Sequence, residues 1–200
     1  MTHYSKGVET RNLILLHSLE LFSINGYDAT SVAEICQHAE VSKGAFYHHF
    51  ASKQDLFLAL MTTWLEGVDG SFQATSKMAK SVPEALESMA QSTGGVFDAL
   101  EGGFPILLEF WRQASRQPDI WERAVSPYRR YLDFFASIIK SGREEGAFDE
   151  ALDDRHTARI LMAVAMGLLL QASFDPDGAD WQEVTQFGTR MLLRGMRSKQ

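Results

Sequence analysis

A chain of 200 residues carries 26 Asp and Glu against 19 Lys and Arg, a formal charge of −7, with 45% hydrophobic residues and one cysteine, Cys36. It is long enough for one large core or two modest ones, and a lone cysteine excludes an internal disulfide and any cysteine-cluster metal site. The longest apolar run, Ile160 to Leu170, falls short of a membrane span and has charged flanks, and Lys6, Glu9 and Arg11 stand where a signal peptide needs apolar residues, so a cytoplasmic protein without a membrane partner is expected.

From about Val8 to Asn25, the positions Ile14, Leu15, Ser18, Leu21 and Phe22 follow helical spacing, and Gly26 stands where a helix closes in the left-handed conformation. Ser31 and Glu34 make an S-x-x-E capping box that starts a helix reaching about His38, with Val32, Ile35 and Cys36 on its apolar side. Ser42 is a good N-cap for a third helix, in which Phe46 and Phe50 share one face and Lys43, Gly44, Tyr47 and His48 point away. Two short helices joined by a tight turn, one of them with a polar outer face, have the form of a helix-turn-helix DNA reader. Ser52 and Asp55 repeat the capping logic for a fourth helix through Leu56, Leu60 and Trp64, which frays near Gly67 or Gly70 or continues to about Lys80.

The rest of the chain has neither strand alternation nor hairpin dipeptides. Ser81-Val-Pro-Glu84 is another capping box and opens a helix to about Leu100, closed by Gly102-Gly103. Phe104 to Gln117 carries Ile106, Leu107, Phe110, Trp111 and Ala114 before Pro118 breaks it. Ser126-Pro127 is expected to restart the chain as N-cap and N1, followed by the apolar face Tyr128, Tyr131, Leu132, Phe135, Ile138 and Ile139 and closure at Gly142 and Gly146. Asp153 or Asp154 caps a helix through Ala172, and Asp180 with Glu183 caps the last one, to about Met196. The expected fold is therefore all-α, with about nine helices: an N-terminal three-helix helix-turn-helix domain over 1–53 and a second helical domain over 54–200.

Phe22, Gly26-Tyr27, Thr30-Ser31-Val32, Ile35, the stretch Val41 to Phe50 and Ser52-Lys53 closely resemble the N-terminal domain of the TetR family of transcriptional regulators, over roughly residues 8–60. The candidate DNA-binding residues are Ser31, Ser42, Lys43, Gly44, Ala45, Tyr47, His48 and Lys53. Lys43 can donate to guanine edges or phosphate, and Gly44 lets the backbone approach the groove. Tyr47 and His48 suit phosphate, sugar or thymine-methyl contacts, and the helix-start amides near Ser31 and Ser42 can face phosphates. Tyr47 and His49 can instead pack inside the small domain. Lys53 resembles the family's phosphate-contacting lysine. Two positions depart from the family pattern: Glu40 stands where the turn usually has glycine, and Ala33 where a basic residue is frequent.

Charge is thin for a nucleic-acid binder. The first sixty residues hold four Lys and Arg against six Asp and Glu, although five of the six histidines (His3, His17, His38, His48, His49) also lie there. DNA binding must then come from locally placed cations instead of a broad basic field. No metal or cofactor is expected: adjacent His48 and His49 point roughly 100° apart on a helix, and no H-x-x-x-H pattern occurs. An enzyme is not expected either, since the chain has no G-x-S-x-G elbow, P-loop or Rossmann glycine pattern, and so no catalytic residue is nominated.

Phe97, Phe104, Leu108, Trp111, Tyr128, Tyr131, Phe135, Met162 and Met166 are candidates to line a cavity for an apolar or aromatic effector, a pocket that the family resemblance also implies. Each competes with a plain core role, and Glu109, Arg112 and Gln113 beside them can orient a polar group or form a solvated face. The penultimate helix, with Ala158, Ala163, Ala165 and Gly167 among Leu161, Leu168 and Leu169, is apolar around most of its circumference and needs a second surface. Phe187, Met191 and Leu192 supply one face of the last helix. The resemblance implies that these two helices pair with their symmetry mates in an isologous homodimer. Together these readings describe a repressor that binds a near-palindromic double-stranded DNA operator and is released by a small molecule. The competing reading is a helical small-molecule-binding protein with weakened or lost DNA binding.

Overall fold

The structure, a computed structural model, describes residues 2–76, 79–92 and 103–197. The described residues are helical throughout: α1 Thr2–Asn25, α2 Val32–His38, α3 Lys43–His49, α4 Lys53–Ser76, α5 Val82–Gln91, α6 Gly103–Ala114, α7 Pro118–Glu144, α8 Asp154–Phe174 and α9 Trp181–Met196. An isolated antiparallel bridge joins Phe148 to Arg197.

The chain forms two compact units, Met1–Leu65 with Pro105–Ala124, and Glu66–Phe104 with Val125–Gln200. The first unit is larger than the expected domain ending at residue 53, and its core explains why. Phe22, Tyr27, Ile35, Phe46 and Phe50 from the first three helices are buried with Leu56, Phe57 and Met61 of α4 and with Phe110 and Ala114 of α6. Phe57 stacks on Phe110 at 4.3 Å between ring centroids, and Tyr27 meets Phe110 edge-on at 5.5 Å. Each such ring contributes roughly 2–3 kcal/mol by leaving water, so α4 and α6 share the core of α1–α3. The second core is built from Val82, Leu86 and Met89 of α5, Ile139 of α7, Phe148, and Leu193 and Met196 of α9.

Two expectations about elements are corrected. α5 ends at Gln91, with Ser92 as C-cap, instead of near Leu100. The Ser92 hydroxyl donates to the Ser88 carbonyl, and serine here competes with helix continuation; residues 93–102, including Phe97 and Gly102, lie outside the described residues. Pro127 is interior to α7 and does not start a helix; Pro118 begins that helix, with Asp119 in its first turn. The reason is the unbroken 3.6-residue pattern of Ala124, Tyr131, Leu132 and Ile139, all buried, which outweighs the one hydrogen bond that Pro127 removes. Among the described residues one helix, α8, 21 residues long, is long and apolar enough by length and composition to cross a membrane. The helix begins before Ile160 and runs past Leu170 to Phe174, so it is longer than the apolar run from Ile160 to Leu170. Its N-terminal end is fixed within the second unit by buried Thr157 and Ala158 and by the Arg143–Asp154 ion pair at 3.0 Å.

Candidate nucleic-acid interface

Local chemistry sets α2 and α3. Ser31 Oγ accepts the Glu34 amide at 3.2 Å and the Glu34 carboxylate accepts the Ser31 amide at 2.7 Å, so the capping box is complete. That amide holds the Glu34 carboxyl below its ordinary pKa. Ser42 Oγ accepts the Ala45 amide at 3.1 Å and starts α3.

Between them the chain turns through a Schellman cap. The Val41 amide donates to the Cys36 carbonyl at 2.9 Å and the Glu40 amide to the Gln37 carbonyl at 3.3 Å, with Glu40 in the left-handed region at φ 54. Glutamate can fill this position but pays for its Cβ there. Glu40→Gly is therefore expected to stabilise the first unit by about 1 kcal/mol, seen as a Tm higher by about 2–4 °C in a thermal melt.

With Phe46 fully buried and Phe50 nearly so, the opposite face of α3 is presented to solvent. Ser42, Lys43, Gly44 and His48 are exposed, Tyr47 is 56% exposed, and Ala45 and His49 are half-buried. Tyr47 thus belongs to the outer face, although its ring touches Phe46 edge-on at 5.3 Å. Burial, followed by the neighbouring His48 and Arg11, lowers the His49 pKa, so this ring favours the neutral form. Ser31 and Ala33 of the preceding helix start are exposed on α2. Cys36 is buried, and burial raises its thiol pKa.

Lys53 is placed differently from a free surface cation. Its ammonium donates to the carbonyls of Tyr27 at 2.7 Å, Thr30 at 2.9 Å and Asp28 at 3.4 Å, and lies 4.3 Å from the Tyr27 ring centroid. Desolvation lowers its pKa against the opposing pull of Asp28, Glu109 and Glu34. The same turn is gripped from α6: Glu109 accepts the amides of Tyr27 at 2.9 Å and Asp28 at 3.0 Å, and Arg112 pairs with Asp28 at 3.0 Å. Glu109 and Arg112 are frame residues that sequence reasoning left undecided, since partners more than 80 positions apart leave no local signature.

The acidic balance of this unit persists, because 105–124 adds three arginines and three carboxylates. Four of the six acidic groups in the first sixty residues have partners: Glu20 with His17 and His38, Asp28 with Arg112, Glu34 in its capping box, and Asp55 with Arg123 at 2.6 Å. The hydrogen bond from His17 is the main cause of a lowered Glu20 pKa. Lys43 is an exposed cation without a hydrogen bond or ion pair among the described residues, on the outer face of α3.

The candidate effector residues fall in both units. Leu108, 39% exposed, and Trp111 lie on α6 in the first unit, where Trp111 packs on the core and its buried indole Nε1 has no hydrogen-bond partner among the described residues. Tyr131 is buried in the second unit, and Tyr128, Phe135, Met162 and Met166 are half-buried there. Phe97 and the side chain of Phe104 lie outside the described residues.

Residues 14–60 match the bacterial regulatory proteins of the tetR family, and residues 105–195 match the C-terminal domain of BetI-type transcriptional repressors. The chain is 26% identical over 189 residues to the HTH-type transcriptional regulator UidR of Escherichia coli (strain K12), covering 94% of this chain and 92% of that one. It is 28% identical over 138 residues to the HTH-type transcriptional regulator QacR of Staphylococcus aureus, covering 68% and 72%. In fold it is similar to a TetR-family regulator structure from Syntrophomonas wolfei, with a TM-score of 0.80, 24% identity, and 94% and 96% of the two chains covered. An exposed polar recognition helix on a capped helix pair, in a chain matched at both ends, makes this protein a member of the TetR family of DNA-binding transcriptional regulators, which are not enzymes.

Proposed function

We propose that this regulator is a homodimeric repressor that reads a near-palindromic operator through α3 and is released by a small apolar or aromatic effector. The observation that carries the reading surface is the outer face of α3, where Lys43, Tyr47 and His48 stand exposed on a helix whose other side is locked by Phe46. Lys43 supplies the attraction to guanine or phosphate, and Tyr47 and His48 the flanking backbone contacts. Two such helices, one per protomer, enter successive major grooves roughly 34 Å apart.

The dimer rests on apolar surface that the chain alone leaves in water: Ile160 and Phe174 on α8, and Phe187 and Met191 on α9, are each more than half exposed. An isologous contact through α8 and α9 buries them. For the effector, Tyr128, Tyr131, Phe135, Met162 and Met166 of the second unit offer an adaptable aromatic and thioether lining, and in the first unit the buried Trp111 N–H, without a hydrogen-bond partner among the described residues, is a separate candidate donor. Trp111 sits two residues from Glu109, which holds the turn beneath the reading helices, so a ligand that displaces α6 favours a different setting of that turn. The effector must bind the two settings with unequal affinity.

The test is operator binding by the full chain across a salt series. Wild type is expected to show a steep negative slope of log K against log salt. Lys43→Ala should weaken operator binding about 10–100-fold and relax base preference, with an unchanged Tm. A flat slope favours the competing reading of a ligand-binding protein without DNA binding, and light scattering that finds a 22.4 kDa species at micromolar concentration removes the dimer.

A further inference from the structure

Apart from the reading face, among the described residues the first unit holds one cluster with the donor chemistry of a metal site. His17 and Glu20 lie at i and i+3 on α1, hence on one face and one turn apart. His38, the last residue of α2, meets them from the other helix. His17 Nδ1 is 3.0 Å and His38 Nε2 is 3.3 Å from the same oxygen, Glu20 Oε2, and the three atoms all lie within 4.8 Å of one another. The two imidazole rings meet edge-on at 5.1 Å.

We propose that His17, Glu20 and His38 bind one divalent transition-metal ion of the imidazole-preferring kind, Zn2+ or a chemical neighbour, and that the ion ties α2 to α1. The distances carry this. Tetrahedral Zn2+ with bonds of about 2.0–2.1 Å to nitrogen and oxygen needs neighbouring donors about 3.3 Å apart. Two of the three edges already lie near that length, and rotating the exposed His38 ring closes the third. Two imidazoles and one carboxylate suit Zn2+, Fe2+ or Ni2+ and disfavour Mg2+ and Ca2+, which take all-oxygen shells. Side-chain exposures of 26% for His17, 47% for Glu20 and 50% for His38 leave an entry path and room for water as the remaining ligand. On binding, each facing nitrogen loses the proton it donates to Glu20, which passes to the ring's other nitrogen by tautomerisation or, where that nitrogen already carries one, to solvent, and its lone pair goes to the metal, so two N–H···O contacts are exchanged for two metal–nitrogen bonds.

The consequence is local. His38 ends α2 two residues before Glu40, so the ion clamps the helix end from which the Schellman turn departs. Zn2+ at about a hundred times its Kd is expected to raise Tm by about 5–10 °C.

The test uses the untagged full chain, stripped with chelator and titrated calorimetrically with Zn2+ alone, with Co2+ as an absorption probe of coordination. One equivalent per chain is expected. His17→Gln and His38→Gln should each weaken binding on the order of a hundredfold, while His156→Gln, in the His156–Asp153 pair of the second unit, leaves it unchanged. Equal affinity in the His17 and His38 variants, or no saturable binding, overturns the proposal. Should a variant lose its helical circular dichroism, histidine-ring NMR of wild type replaces it. Zn2+ must then move the His17 and His38 signals and spare His156, and unmoved signals overturn the proposal equally.

Discussion

Lys53→Ala is expected to lower Tm by about 5–10 °C and to weaken binding to operator and random DNA alike. The ammonium closes the turn between α1 and α2 by donating to the Tyr27 and Thr30 carbonyls at 2.7 and 2.9 Å, with a longer contact to Asp28 at 3.4 Å. A hydrogen bond from a charged group contributes about 1.5–3 kcal/mol, and the cation over the Tyr27 face adds roughly 0.5–1 kcal/mol. Desolvation of the ammonium, visible as its lowered pKa, offsets part of this and leaves a net loss of about 2–3 kcal/mol. Water can reach some of the orphaned carbonyls, but Tyr27 is 1% exposed and its surroundings cannot be rehydrated without opening the core. Loss of DNA affinity follows because this turn fixes where α2 begins. The contrast with Lys43→Ala makes the prediction sharp. Among the described residues Lys43 has no hydrogen bond or ion pair, so its removal is expected to lower affinity at constant Tm. If Lys53 acted only by touching phosphate, its alanine variant would behave the same way, and paired thermal melts and DNA titrations distinguish the two roles.

In the second unit, Gly142→Ala should cost about 2–3 kcal/mol, although alanine is the better helix former by about 1 kcal/mol. The last turn of α7 ends in a Schellman cap: the Ala147 amide donates to the Gly142 carbonyl and the Gly146 amide to the Arg143 carbonyl, each at 2.9 Å, with Gly146 at φ 73. This cap folds Phe148 back across the helix, where the ring is fully buried. A Cβ on Gly142 would land on Cδ2 and Cε2 of Phe148 and come within 3.1 Å of Val82 Cγ1. The ring has no free direction, since Ile139, Leu193 and Met196 pack in the same core and the Asp149 amide is tied to the Met196 carbonyl at 2.9 Å. A double-mutant cycle measured by denaturant unfolding checks the mechanism. With Phe148→Leu already present, the alanine should cost at least about 1 kcal/mol less than it does alone. Strict additivity would mean that the Phe148 contact is not the cause.

Positions governed by near neighbours were legible from the residues themselves. Ser31, Ser42, Ser52, Ser81, Asp153 and Asp180 all accept a capping bond from the amide three positions on, because such a bond depends little on anything distant. The expected box at Ser81 is nevertheless not closed, since the Glu84 carboxylate accepts the Lys80 amide instead of that of Ser81. The burial of Phe46 and Phe50 and the exposure of Lys43, Tyr47 and His48 follow from one helical period. The misreadings came where local and global preferences conflict. Pro127 is a helix-start signal by itself, yet burial of Ala124 on one side and Tyr131 on the other carries α7 through it. Serine at 92 ended α5 earlier than the next apolar residues suggested.

The sequence alone determined an all-helical regulator with a capped helix-turn-helix, and it did so because caps, turns and helical periodicity are properties of neighbouring residues. Tertiary structure alone decided which charges remain outward. It turned Lys53 onto three carbonyls, brought Glu109 and Arg112 from α6 onto the turn after α1, and set His38 against His17 and Glu20. Those pairings join residues from 18 to 84 positions apart, and no spacing rule encodes them. They exist because one shared core holds α1, α2, α4 and α6 in register.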